Sequence, residues 1–159
     1  CDNISSPNTK DLRKLTANDF FKNLTDKILN KSEQLSGGAT DKKPIFLKLS
    51  PNESKENLES IISYSVSNGV DGFILTNTSA IHNYGLPGGM SGSPLKKEAE
   101  ECLKFSRSIA GPNIPIIASG GIMSKGDAEQ RFNLSADLIQ LYSGFVFHGN
   151  DLLQDCLKI

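Results

Sequence analysis

Apolar positions along the chain switch between two periods. Between residues 17 and 35, Phe20, Phe21, Leu24, Ile28 and Leu35 fall on one stripe at helical spacing. Thr16 followed by Asp19 resembles an N-terminal cap, and Gly37-Gly38 end the helix. A short apolar run follows, PIFLKL at 44–49, the length of a buried strand. The helical period returns over 53–67 with Leu58, Ile61, Ile62 and Val66, and Gly69 suits its C-terminal end. GFILTNT (72–78) predicts the next strand, and 79–95 is a loop rich in Gly, Pro and Ser. Ala99, Cys102, Leu103 and Ile109 mark a third helix near 95–110, and PIIAS (115–119) a further strand. Ser124, with Asp127 three residues on, opens a short helix over 125–133. DLIQLY (137–142) predicts the last strand, and a final helix begins near Asn150.

Strand and helix therefore alternate through five units, the first strand cut short at the N-terminus. This order predicts an α/β fold in which a parallel sheet is covered by crossover helices. The 159 residues suit one domain with a real core. A net charge of −1 gives no electrostatic case for nucleic acid as a partner. No apolar run approaches a membrane span, and no N-terminal stretch reads as a targeting segment. The three cysteines and two histidines lack the spacing of a zinc site or a disulfide framework, so no metal is expected.

A parallel sheet gathers the C-terminal ends of its strands at one edge, where α/β folds place their ligands. Here those ends are Asn3-Ile4-Ser5-Ser6-Pro7-Asn8-Thr9, Lys48, Thr76-Asn77-Thr78, Ser119-Gly120-Gly121 and Tyr142-Ser143-Gly144. Each strand is apolar in its middle and polar or glycine at its end. Lys48 interrupts a buried strand, and a buried lysine is costly unless an anion or another partner meets it. The alternative is an edge lysine reaching water along its stem. Gly120-Gly121 before a helix start suggests a phosphate cradle, and Ser91-Gly92 could supply further N–H donors. Plain turns and a loop tip are the competing readings. Asn3, Asn8 and Asn77 suit a planar ligand with alternating donors and acceptors, or else Asx-turns. The stretch NISSPNT reads by itself as a turn, or as the polar end of a strand carrying an active site.

Six stretches, NISSPNT, FLKLSP, DGFILTNT, GGMSGSPL, PIIASGGI and LIQLYSG, occur in the order found in dihydroorotate dehydrogenases. The chain resembles the C-terminal part of that family, flavin enzymes of pyrimidine synthesis built on a β/α (TIM) barrel. The resemblance implies about five βα units of such a barrel, forming a single partial FMN-binding domain over 1–159. It implies that Ser6 is the general base taking the C5 proton of dihydroorotate, with hydride passing from C6 to FMN and orotate as product. Asn3, Asn8, Asn77 and Thr78 would bind the pyrimidine, with Asn3 also near the flavin. Lys48 and Thr76 would contact the flavin ring. Ser91, Gly92, Gly120, Gly121, Tyr142 and Ser143 would hold the ribityl phosphate.

Ser6 also bears on the class. Class 1 members carry Cys at this position and use soluble acceptors; class 2 members carry Ser and pass electrons to a membrane quinone. The resemblance thus implies a quinone as second partner. It places the parent enzyme on a membrane, the bacterial or the mitochondrial inner membrane, through an N-terminal segment that this chain lacks.

Some features depart from the family pattern. Cys1-Asp2 stand where members have a hydrophobic run, and Ser135-Ala136-Asp137 replaces a turn of the Ala-Gly-Ala kind. A complete β/α barrel has eight strands and typically about 250 residues. A C-terminal fragment is therefore expected, inactive alone and prone to associate through an uncovered inner face and unpaired edges. Two other readings compete: a different FMN barrel oxidoreductase, and a non-catalytic phosphate-binding module built on Gly120-Gly121.

Overall fold

The computed structural model describes residues 1–5, 18–37, 42–85 and 87–159. In chain order the elements are β1 (Asp2–Asn3), α1 (Asn18–Ser36), β2 (Phe46–Leu49), α2 (Lys55–Ser67), β3 (Gly72–Leu75), α3 (Lys96–Ala110), β4 (Ile116–Ser119), α4 (Lys125–Asn133), β5 (Leu138–Gln140) and α5 (Ser143–Cys156). A 3-10 turn, Ser93–Leu95, leads into α3. All four strand pairings are parallel, and the order in the sheet is β1-β2-β3-β4-β5. The expected α/β architecture is present, and β1 spans two residues.

The ends of the elements follow from local chemistry. Ser54 caps α2 by accepting from the Asn57 N–H, and Ser124 caps α4 by accepting from the Asp127 N–H. The last helix differs from the expectation. It starts at Ser143, directly after β5, and Gly149 (φ 59°) interrupts it with non-helical backbone. The run beginning near Asn150 is only its second half. The last strand is correspondingly shorter than 137–142, and Tyr142 lies outside it, 78% exposed.

Side chains alternate across the sheet with period two. Leu47, Leu49, Phe73, Leu75, Ile116 and Ala118 point to the helices and form the buried core with Leu58, Ile61, Ile62, Cys102 and Leu103. Each fully buried side chain of the Leu or Phe type contributes about 1.5–3 kcal/mol. Burial also pushes the Cys102 thiol up to about 11, so this cysteine is an inert packing residue. The opposite face carries the register row Lys48–Ile74–Ile117–Leu138, with Asn3 beside Lys48. Its apolar members are unequally covered: Ile74 is buried, whereas Leu138 on the outermost strand is 60% exposed.

The α1 stripe needs correction. Phe20 and Leu35 were expected on the buried face but are 60% and 75% exposed. Successive helical residues diverge by about 100°, so only one of the adjacent pair Phe20-Phe21 can face the core. Phe21 does, with Thr25 buried and Leu24 and Leu29 packed beside it. Leu35, in the final turns, borders a shallow apolar groove with Ile28, Pro44 and Ile45.

Two aspartates repeat one device at the opposite edge of the sheet. Asp71, just before β3, donates its N–H to the Ile45 carbonyl at 2.9 Å and accepts the Ile45 N–H on its carboxylate at 2.7 Å. Asp137, just before β5, makes the same two contacts with Ile116, at 2.9 Å and 2.8 Å. Arg107 joins the second clasp, donating to Asp137 at 2.6 Å and to the Gly111 and Ile114 carbonyls at 2.8 and 2.7 Å. These bonds close the strand beginnings and leave the polar ends at the other edge.

Candidate active site

The strand ends converge on one cleft of about 420 Å³. Asn3 and Asn77 meet on its β1 side. The Asn77 side-chain N–H donates to Asn3 Oδ1 at 2.9 Å and to Ser5 Oγ at 3.2 Å. Ser5 is buried and donates in turn to the Lys48 carbonyl at 2.6 Å. The Asn77 side-chain oxygen accepts the Thr78 N–H at 2.9 Å, which fixes the turn leaving β3. The side chain of Asn77 thus works in two directions: its oxygen holds the adjacent backbone N–H while its nitrogen reaches Asn3 and Ser5.

Lys48 and Thr76 line the middle of the cleft. Lys48 reaches across the face to Gln140 on β5, Nζ to Oε1 at 3.5 Å. Burial lowers the Lys48 ammonium below the ordinary lysine value, because half-covered surroundings disfavour its charge. Thr76 is 2% exposed, and its hydroxyl has no hydrogen-bond partner among the described residues. A buried polar atom without a partner is costly in a folded protein, and a water or ligand atom is one way such a hydroxyl is satisfied.

The β4–β5 side of the cleft is built from close backbone approaches. Gly120 (φ 101°) and Gly121 (φ 72°) sit where an L side chain is strained. A Cβ on Gly121 would lie 2.4 Å from the Lys96 Cα, so this turn packs directly against the start of α3. Gly144 is likewise wedged, its absent Cβ 2.2 Å from the Ile122 carbonyl. Ser91 accepts from Ser143 at 2.8 Å, closing the rim between the loop before α3 and the N-terminus of α5. Gly92 lies against Ser143, and Tyr142 completes the lining.

Beneath this turn lies a charged buttress. Arg131 of α4 is fully buried: its Nη2 donates to the Gly120 carbonyl at 2.8 Å, while Nη1 forms an ion pair with Glu100 of α3 at 2.5 Å. Asp127 accepts from Lys96, from the Met123 N–H at 3.0 Å and from the Ser124 hydroxyl at 2.9 Å.

Of the residues singled out from the sequence, Ser6 and Asn8 lie outside the described residues. The others, Asn3, Lys48, Thr76, Asn77, Thr78, Ser91, Gly92, Gly120, Gly121, Tyr142 and Ser143, all border this single cleft. Two participants had been given no role. Ser5 sits inside a polar stretch, and nothing local marks it as buried. Gln140 is the only polar residue within LIQ, and the strand period places it toward the cleft.

Comparison with known proteins decides the family. A family profile described as dihydroorotate dehydrogenase matches residues 2–158. The chain belongs to the dihydroorotate dehydrogenase family. It is 36% identical over 164 aligned positions to a dihydroorotate dehydrogenase (quinone) of Dichelobacter nodosus, covering 99% of this chain and 48% of that protein. The corresponding protein of Legionella pneumophila strain Corby is 35% identical, with 98% and 49% covered. In structure, the chain is similar to an Eimeria tenella dihydroorotate dehydrogenase crystallised with ferulenol, at TM-score 0.83 and 28% identity. That match covers 98% of this chain and 48% of the other. The chain thus spans about half the length of the relatives it matches. Dihydroorotate dehydrogenases as a family use a flavin. Among the described residues, no helix is long and apolar enough to cross a membrane.

Proposed function

We propose that this chain carries the FMN-binding and dihydroorotate-binding face of a quinone-dependent dihydroorotate dehydrogenase, which oxidises dihydroorotate to orotate. In that reading it is one portion of a β/α barrel. The observation that carries the proposal is the meeting of Asn3 and Asn77 beside Lys48 and the partnerless Thr76 hydroxyl in one cleft.

The residues suit an isoalloxazine with a phosphate tail. Thr76 and Lys48 offer donors at mid-cleft for carbonyl oxygens and ring nitrogens. A lysine held partly out of water is an effective partner for the electron-rich edge of a reduced ring. The Gly120-Gly121 turn, Ser91, Gly92 and the Tyr142-Ser143 start of α5 offer N–H and O–H donors suited to a phosphate. The flavin, when bound, supplies the hydride acceptor. The protein's share is binding, orientation and proton handling.

On the substrate side, Asn3, Asn8, Asn77 and Thr78 would hold the pyrimidine edge, each amide presenting a donor and an acceptor. Ser6 would remove the C5 proton. A hydroxyl is far less acidic than a thiol, whose free pKa is about 8.5, so Ser6 must pass its proton onward. A quinone would take the electrons at a membrane.

The test is flavin fluorescence during titration of FMN into the purified chain, with and without orotate. Saturable binding that tightens in the presence of orotate is expected. A folded chain that binds FMN with no response to orotate would refute the substrate assignment, and one that ignores FMN would refute the cofactor assignment.

A further inference from the structure

We infer that Arg131 is a positioning residue that aims the Gly121 N–H into the cleft and strengthens it as an anion donor. This rests on the reading of the cleft as an FMN site.

The Gly120 carbonyl and the Gly121 N–H belong to one peptide unit. Among the described residues only the Leu75–Thr76 peptide is cis, so this unit is trans and planar. In a trans peptide the C=O and N–H point in opposite directions. Arg131 captures the Gly120 oxygen at 2.8 Å from the helix side. The Gly121 N–H must then face away from Arg131, and Gly121 borders the cleft. Both residues are glycines at positive φ, so no side chain biases the turn, and its orientation is set by what it packs on and by the Arg131 tether.

The tether itself is held. The same guanidinium nitrogen reaches the Lys96 carbonyl at 3.3 Å, and the neighbouring nitrogen pairs with Glu100. A fork with several fixed donors can bind a carboxylate and carbonyls together, which a point charge cannot do as well. A charged donor on the carbonyl also polarises the amide, making its N–H the stronger donor on the far side. A buried arginine is expensive to desolvate, and a packing role would be served by an apolar side chain of similar volume. The placement behind a glycine turn explains why the charge is kept.

The experiment compares FMN with riboflavin, which lacks the phosphate, on the wild-type chain and on Arg131→Met combined with Glu100→Gln, so that no carboxylate is left unpaired. The wild type is expected to favour FMN. The double variant should lower that preference roughly tenfold while riboflavin affinity stays unchanged. Arg131→Lys, which keeps a cation and donors but loses the planar fork, should retain only part of it. Parallel weakening of both flavins, or an unchanged preference, overturns the inference and leaves the FMN reading standing. Inorganic phosphate separates the opposite case: a chain that ignores both flavins yet binds phosphate in an Arg131-dependent way keeps the inference and removes the FMN reading. A wild-type chain that binds none of the three overturns the inference. If the double variant does not fold, the wild type still decides by NMR. The Gly121 amide proton should move downfield on addition of phosphate, and an unmoved resonance overturns the inference.

Discussion

The side-chain nitrogen of Asn77 donates to Asn3 Oδ1 at 2.9 Å, although 74 positions separate the two residues. The bond ties the end of β3 to the end of β1 over the intervening β2. Asn77→Asp replaces this donor with a second acceptor of the same shape, facing Asn3 Oδ1 and Ser5 Oγ. We expect the orotate-induced tightening of FMN binding to be lost by about tenfold or more, with the melting temperature falling by roughly 2–4 °C. Fluorescence titration and thermal scans on the same preparation check both.

Lys48→Met should separate stability from binding. Burial lowers the folded pKa of Lys48 below its unfolded value, so the charged form is disfavoured in the folded chain. The penalty is present at neutral pH and fades only as pH rises through the folded value toward the unfolded one. Removing the charge should therefore raise the melting temperature at pH 7 by roughly 1–3 °C. FMN affinity should fall about tenfold at the same time. The two effects have opposite signs, and a variant that loses both stability and binding would contradict this account.

Asp127 sets the acid limit of the turn behind the cleft. Burial alone would raise its carboxyl, but hydrogen bonds from Lys96, Met123 and Ser124 outweigh that and hold it below the usual carboxylate range. The stability it contributes is complete above the unfolded pKa of about 4 and is lost as pH falls through the lower folded value. Asp127→Asn should cost about 1–3 kcal/mol near pH 7. Urea denaturation in a pH series should show the gap to wild type constant above about pH 5 and shrinking below about pH 4.

Ser135 carries a positive φ of 65° just after α4, in a region costly for a residue with a Cβ. Its backbone already makes its bonds: N–H to the Phe132 carbonyl at 2.8 Å, and its oxygen accepting from Arg107 at 2.6 and 2.9 Å. Ser135→Gly keeps these contacts and relieves the backbone, so it should stabilise by about 0.5–1 kcal/mol. Chemical denaturation measures it, and ligand binding should not change.

Period and position carried the sequence reading where one rule acts alone. The five strands and the cap pair Ser124–Asp127 follow from local pattern, and the cleft follows from the geometry of parallel strands. Phe20 failed because a helical stripe drawn from hydrophobicity alone cannot choose between adjacent phenylalanines. The start of α5 failed because Ser143-Gly144 reads as a loop, while in the fold Gly144 packs on the Ile122 carbonyl and lets the helix begin at once. Ser5, Arg131 and Gln140 act through contacts between distant segments, and no window of sequence displays those partners.

Strand order along the sheet repeats strand order along the chain. Each βα unit therefore leans on the unit before and the unit after, as in a linear array of repeats. Stability in such an array is close to a sum of neighbour terms, and ordering can spread from whichever unit forms first. The middle strands, β2 to β4, have a partner on both sides, while β1 and β5 have one. Amide exchange should be slowest in β3 and quicken toward both ends. The cleft, which draws on every strand from the first to the last, is then complete only when the whole array is closed, so ligand binding acts as a clamp on its least stable members.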